Sequence, residues 1–253
     1  MRMLVHRSRA GISFAFAVLC WVGMAMAGAT AKPLGGSLPY PNGTLYVPKG
    51  LVGVFGGGQI RDLREDLGLF LWQGEFGFFY KPWLSAGAGF RIKAGEPSDI
   101  EQKVENRYFV FTRAHRAWNH VAIYAGPQVG VDNLNLTSSP DTGTHDVFSK
   151  TGASLGLEFG LGYKPLPWVG VTFGNRFEYS LANLTSGTRS ASRTLNVRGM
   201  PGLSFDLLPF LPGLKESVSA FTAFCEYQRA FLFIVDHRQR TESAWMAGGS
   251  IAF

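Results

Sequence analysis

A histidine set among carboxylates is the arrangement in this chain with the most capacity for chemistry. His145 stands between Asp141 and Asp146, with Asp132 upstream in the same polar stretch. An imidazole beside a carboxylate can take a proton from water, the general-base step of a hydrolase. His115 and His120 flank a short turn and read as solvated rim residues. No Cys/His spacing fits zinc and no phosphate-binding glycine loop occurs, so neither a metal nor a cofactor is expected. A solvated polar loop is the plainer account of His145, Asp141 and Asp146, and no catalytic residue is assigned.

A second set of charges is Glu75, Arg91, Glu158, Arg176, Glu178, Arg198, Asp206 and Glu226. Each falls on the small-residue face of an alternating segment. Buried charges need partners, and an arginine fork suits a carboxylate. Inside a barrel these residues would either line a narrow passage or pair and close it.

The elements that position them alternate with period two from residue 50 onward. In 147–163, Ala153, Leu155, Leu157, Phe159, Leu161 and Tyr163 oppose Gly152, Ser154, Gly156, Glu158, Gly160 and Gly162. This is the strand periodicity, and no helical period competes with it. Turn signals divide the chain into ten strands: about 51–60, 67–80, 83–93, 105–114, 118–132, 147–163, 168–182, 193–207, 216–233 and 241–253. Pro127 and Pro201 fall within strands, where a missing N–H predicts a bulge or an earlier strand end. Short connections alternate with longer polar ones, the pattern of an up-and-down barrel.

One stretch is used twice. "EFGFFYKPWLSAGAGFR" from Glu75 to Arg91 returns as "EFGLGYKPLPWVGVTFGNR" from Glu158 to Arg176. It reads as a hairpin corner, with Pro82 and Pro165 in the turn. Tyr80, Trp83, Trp118, Tyr163 and Trp168 gather at the short turns, as an aromatic girdle between lipid tails and headgroups would. Glu75 with Arg91, and Glu158 with Arg176, would then pair on the inner face.

Composition supports the lipid-facing assignment. Charged residues make up 17% of the chain and aromatics 14%, whereas about a quarter of residues are charged in average soluble chains. A secreted soluble β-protein with the apolar face inward is the alternative, but the polar face is mostly Gly, Ser and Thr. The formal net charge is +6, and without Arg2, Arg7 and Arg9 it falls to +3, with no basic cluster to suggest nucleic acid.

Residues 1–27 read as a cleaved signal peptide, with basic residues, an apolar core and small residues before Gly28; cleavage as late as 31 also fits. Residues 28–49 read as a Pro/Gly-rich periplasmic leader without a core of its own, and 50–253 as the barrel. Cys225 alone remains after the signal, so no internal disulfide is expected.

The last strand, "AWMAGGSIAF", places Trp245, Ile251 and Phe253 on one face. Here the chain resembles Gram-negative outer-membrane β-barrel proteins of the small, porin-like or OmpA-like kind, over about residues 50–253. That resemblance implies an all-β, antiparallel up-and-down transmembrane barrel. It also implies contact with outer-membrane lipid and lipopolysaccharide, and recognition of the C-terminal strand by the barrel-assembly machinery. A monomer is expected. Outer-membrane proteases of the omptin type, also ten-stranded, use Asp and His at the outer rim, but the second acidic pair is missing here. The expected role is a largely closed, charge-paired barrel with a structural or surface-interaction function. A narrow solute channel and an outer-rim hydrolase are the alternatives.

Overall fold

The computed structural model describes residues 37–62, 69–95, 102–138, 146–184, 191–234 and 239–253. Residues 1–27, expected as a signal peptide, lie outside these, as do Asp141 and His145; Asp146 is the first residue of a strand, and its side chain is outside the description.

Two short strands come first, β1 (Leu38–Pro39) and β2 (Leu45–Tyr46), paired antiparallel. Ten long strands follow: β3 (Gly50–Asp62), β4 (Leu69–Lys81), β5 (Leu84–Gly95), β6 (Gln102–Trp118), β7 (Val121–Ser138), β8 (Asp146–Leu166), β9 (Val169–Leu184), β10 (Ala191–Asp206), β11 (Ala220–Ile234) and β12 (Gln239–Ala252). Each pairs antiparallel with its sequence neighbour, and β12 pairs with β3 to close the ring. The ten expected strands are all present, and several are longer than expected. A strand of about ten residues crosses a bilayer; these run from 12 to 21 residues.

Alternation decides which face is which. On β4, Phe70, Trp72, Phe76 and Phe78 are exposed, while Leu71, Gln73, Glu75 and Phe79 are buried. On β9, Val171 and Phe173 face out, while Thr172, Arg176 and Glu178 face in. Aromatic and aliphatic side chains clothe the outside, and the lumen holds charged and polar side chains together with buried apolar ones. Soluble monomers rarely expose an apolar surface this continuous.

The two copies of the duplicated corner turn on the same dipeptide. Pro82–Trp83 joins β4 to β5, and Pro167–Trp168 joins β8 to β9. The second turn is therefore not at Pro165. That proline lies within β8, in a register irregularity between Tyr163 and Leu166, and the two extra residues lengthen the end of β8. The first copy has its own irregularity between Phe79 and Lys81. The third short turn is Asn119–His120, so β6 runs on to Trp118 instead of ending at residue 114.

Pro127 and Pro201 make no bulge. Pairing lapses around Pro127 on the β6 side and around Pro201 on the β11 side, and resumes in unchanged register. On their other flanks Pro127 still aligns with Leu157, and Pro201 with Phe173. One missing N–H interrupts one ladder without displacing the chain.

Candidate functional site

The lumen is the site. At mid-height Arg113 Nη2 donates to Glu75 Oε2 at 2.8 Å and to Glu158 Oε2 at 3.1 Å. Arg176 Nη2 donates to Glu158 Oε2 at 2.9 Å and to Glu75 Oε1 at 3.4 Å. Two guanidinium groups and two carboxylates thus form a closed cycle. Its members come from β4, β6, β8 and β9, so the cycle spans the ring instead of following the wall. The Arg113 guanidinium also lies 3.9 Å from the Phe111 ring centroid, a desolvated cation–π contact.

Toward the end that carries the longer connections, Arg107 binds Asp132 (Nη2 to Oδ2, 2.7 Å) and Glu178. Arg91 approaches Glu178 at 3.6 Å. Ser154 and Ser180 donate to Asp132 as well. Lys93 bridges Glu242 at 2.9 Å and Glu105 at 3.8 Å. Arg198 donates to Gln228 Oε1 at 2.8 Å, and Gln228 Nε2 donates onward to Glu226 Oε1 at 2.8 Å. An amide therefore relays between these two charges.

The opposite end is filled by the leader. Residues 37–47 enter the lumen, turn at Pro41–Gly43, and return to the wall at β3. Over this stretch the segment expected as an extended leader without a core of its own shares the core of the barrel. Leu38, Tyr40, Leu45, Tyr46 and Val47 form one buried cluster with Val52, Val54, Phe79, Tyr124 and Phe224 of the barrel. Too short to build a core alone, the segment buries its apolar side chains against the barrel wall. Asn42 is left-handed (φ 58°), as is Gly43 (φ 70°), and both residue types tolerate this. A Cβ at Gly43 would strike the Phe224 ring, and one at Gly162 would strike the Pro39 carbonyl oxygen.

Asn42 sits at the tip. Its backbone N–H donates to Glu226 Oε2 at 2.6 Å, and its Nδ2 donates to Glu158 Oε1 at 2.9 Å. Tyr124 O–H donates to the same Glu158 oxygen. Below the tip, Tyr40 O–H donates to the Ile123 carbonyl at 3.2 Å. Its oxygen lies 3.2 Å from His115 Nδ1, and His115 Nε2 lies 2.6 Å from Ser85 Oγ. With the phenol proton committed to Ile123, Nδ1 is the protonated nitrogen and Ser85 donates to Nε2. Ser85 and His115 have the relation of nucleophile and base, but both are buried between leader and wall. His115 is thus not a solvated rim residue: parity on β6 turns it inward. His120 is exposed in its turn, as expected.

Of the inner charges expected from sequence, Glu75, Arg91, Glu158, Arg176, Glu178, Arg198 and Glu226 are all buried in the lumen. Glu158 and Arg176 are direct cross-strand partners. Arg91 pairs with Glu178 instead of Glu75, because it aligns with Gln73, two residues away. Asp206 belongs to the rim, paired with Lys164 at 2.9 Å, and not to the central network. Asp132 is no part of a catalytic loop: it is buried and held by Arg107 and two serines. Tyr80, Trp83, Tyr163 and Trp168 are exposed on the outside, while Trp118 is half-buried. Trp245 and Phe253 are exposed and Ile251 is half-buried. The sequence reading missed Asn42, Lys93, Arg107, Arg113, Tyr124 and Gln228. Arg107 and Arg113 share the inward parity of Phe109 and Phe111 on β6.

A closed antiparallel ring of ten strands, apolar outside and charged within, is an outer-membrane β-barrel in architecture. Solved structures bear out the fold. The chain is similar to the beta domain of the Bordetella autotransporter BrkA, with a TM-score of 0.54 and 11% identity, covering 82% of this chain and 100% of that one. Weaker likenesses are to Neisserial surface protein A (NspA), with a TM-score of 0.38, 13% identity and coverage of 80% and 96%. The N-terminal β-barrel domain of Pseudomonas aeruginosa OprF gives 0.35, 12%, 81% and 98%. No protein-family model matches the sequence, and no curated protein matches it significantly.

Proposed function

We propose that this chain is a closed barrel of the bacterial outer membrane with a structural or surface-interaction role, and that it is not a passive pore. The observation that carries this reading is the Arg176–Glu75 contact at 3.4 Å. It ties β9 to β4, which lie five strands apart around a ring of ten. Contact between opposite walls divides the lumen at that level and supports the closed reading. The leader fills the lumen below it, and the Arg107, Arg91 and Lys93 pairs occupy the space above. The outward band of Phe, Trp, Leu and Val supports residence in lipid. The five longer connections would then face outward from the cell, where lipopolysaccharide is their nearest neighbour.

The test is conductance of the chain from Gly28, refolded and inserted in a planar lipid bilayer. A folded, inserted and silent protein is the expected result. Discrete steps in the wild-type chain would overturn the closed reading in favour of a narrow channel.

A further inference from the structure

Four connections close the barrel at the end where the leader enters. Three are the two-residue turns already described. The fourth, residues 207–219 between β10 and β11, folds into two 3₁₀ turns, Leu208–Phe210 and Pro212–Leu214. Three of its apolar side chains are exposed: Phe210 at 67%, Leu211 at 38% and Leu214 at 39%. Most of its backbone N–H groups are nevertheless satisfied locally. Phe210 N–H donates to Leu207, Leu211 to Leu208, Leu214 to Leu211 and Val218 to Leu214, at 3.0 to 3.2 Å. A segment that closes its own hydrogen bonds can enter an apolar medium without stranding amides.

The segment is fixed to the rim at both ends. Asp206 N–H donates to Trp168 O, Leu207 N–H to Phe221 O, and Ser219 N–H to Ala252 O, each within 2.9 Å. It is therefore a fixed projection. It continues the outer apolar band, for Leu203 and Phe205 of β10 and Trp168 are exposed beside it. Lys215 follows directly. Among the described residues, this rim carries Lys49, Lys81, Arg116, Lys164 and Lys215 against Asp206 and Glu216. Lys81 lies 5.5 Å from the Trp83 ring centroid and Arg116 lies 5.3 Å from that of Trp118, so both cations stand beside rings of the expected girdle.

We propose that residues 208–215 form a membrane-seated foot. Phe210, Leu211 and Leu214 lie among the acyl chains, and Lys215, with Lys81 and Arg116, engages anionic phospholipid headgroups. This rests on the membrane reading above. Continuity with the outer band identifies lipid as the occupant, and the basic excess of the rim identifies anionic lipid.

The test uses the Cys225→Ser chain carrying a nitroxide at Phe210→Cys or Lys215→Cys. The barrel is inserted in vesicles of phosphatidylcholine with phosphatidylglycerol, and insertion is confirmed by gel shift. The nitroxide at 210 should be open to oxygen and shielded from a polar nickel chelate, and the one at 215 open to nickel. Doxyl-labelled phosphatidylglycerol should outcompete doxyl-phosphatidylcholine in quenching the native tryptophans by about fivefold, the preference expected of one cation at a charged surface. That preference should shrink in Lys215→Gln. Nickel access at 210 in an inserted barrel overturns the foot and leaves it a surface for a periplasmic protein. Equal quenching by the two lipids overturns the anionic preference. Failure to insert overturns the membrane reading and the foot together.

Discussion

Glu75 and Arg176 stand on opposite walls of the barrel, and their side chains meet across the lumen at 3.4 Å. Arg113 and Glu158 complete the cycle, so each charge in it faces two of opposite sign. Arg176 is 1% exposed. Removing one partner of such a buried set leaves an uncompensated charge, which costs about 3–5 kcal/mol. Arg176→Met should lower unfolding stability by about that amount, read as an earlier urea midpoint of the gel-shifted form. A midpoint within error of wild type would show that the cycle contributes nothing to stability.

Asn42 is the point at which the leader joins this network, donating to both Glu226 and Glu158. In Asn42→Gly the backbone N–H and the left-handed turn are retained, and the Glu158 contact is lost together with the longer one that Gln228 Nε2 donates to Asn42 Oδ1 at 3.5 Å. The Glu158 contact is a hydrogen bond to a charged group, of about 1.5–3 kcal/mol. Gly162→Val is the harsher change, because its Cβ meets the Pro39 carbonyl. Limited trypsin digestion reads both. The leader should stay protected in Asn42→Gly, whereas in Gly162→Val it should leave the lumen and be cut away at Lys49. Full protection in Gly162→Val would mean that the segment does not sit where Pro39 meets β8.

Cys225 offers a direct reading of which face is outward. It is a free, exposed thiol on β11, aligned with Leu203 and Ala247 on the flanking strands. In urea a charged maleimide should label it fully. Inserted in lipid vesicles, the same thiol should resist the charged reagent and still react with an apolar one. Labelling by the charged reagent after insertion would place this face in water and sink the lipid-facing assignment.

Much of this fold can be read from the sequence because period-two alternation is a local property. Leu155, Leu157 and Phe159 against Ser154, Gly156 and Glu158 already state two faces, and ten such stretches state a ring. Pairing within the lumen is not local. Glu75 meets Arg113 and Arg176 from distant strands, and no spacing along the chain encodes a contact across a ring. The direct Glu158–Arg176 pair was legible because one hairpin sets its register. Arg91 lies inside, yet its partner, Glu178, is 87 positions away. The leader was missed for another reason. Its eleven residues hold no periodicity, and only "PNG" flanked by Leu38, Tyr40, Leu45 and Tyr46 hints at a turn with apolar arms.

Phe253 separates two roles that a terminal aromatic can have. Its backbone belongs to the seam of the barrel: its N–H donates to Leu51 O at 2.9 Å, and its carbonyl accepts from Leu51 N–H at 3.3 Å. Its ring is exposed on the outside. Phe253→Ala keeps both seam hydrogen bonds and removes only the ring, a change at a surface position worth about 0.5 kcal/mol or less. The refolded variant should therefore unfold at the wild-type urea concentration. If the ring is read during assembly, the same variant should reach the outer membrane of a Gram-negative host at a clearly reduced level. Equal levels in cells would leave Phe253 as a seam residue alone, whereas a loss of refolded stability would show that the ring itself holds the last strand in place.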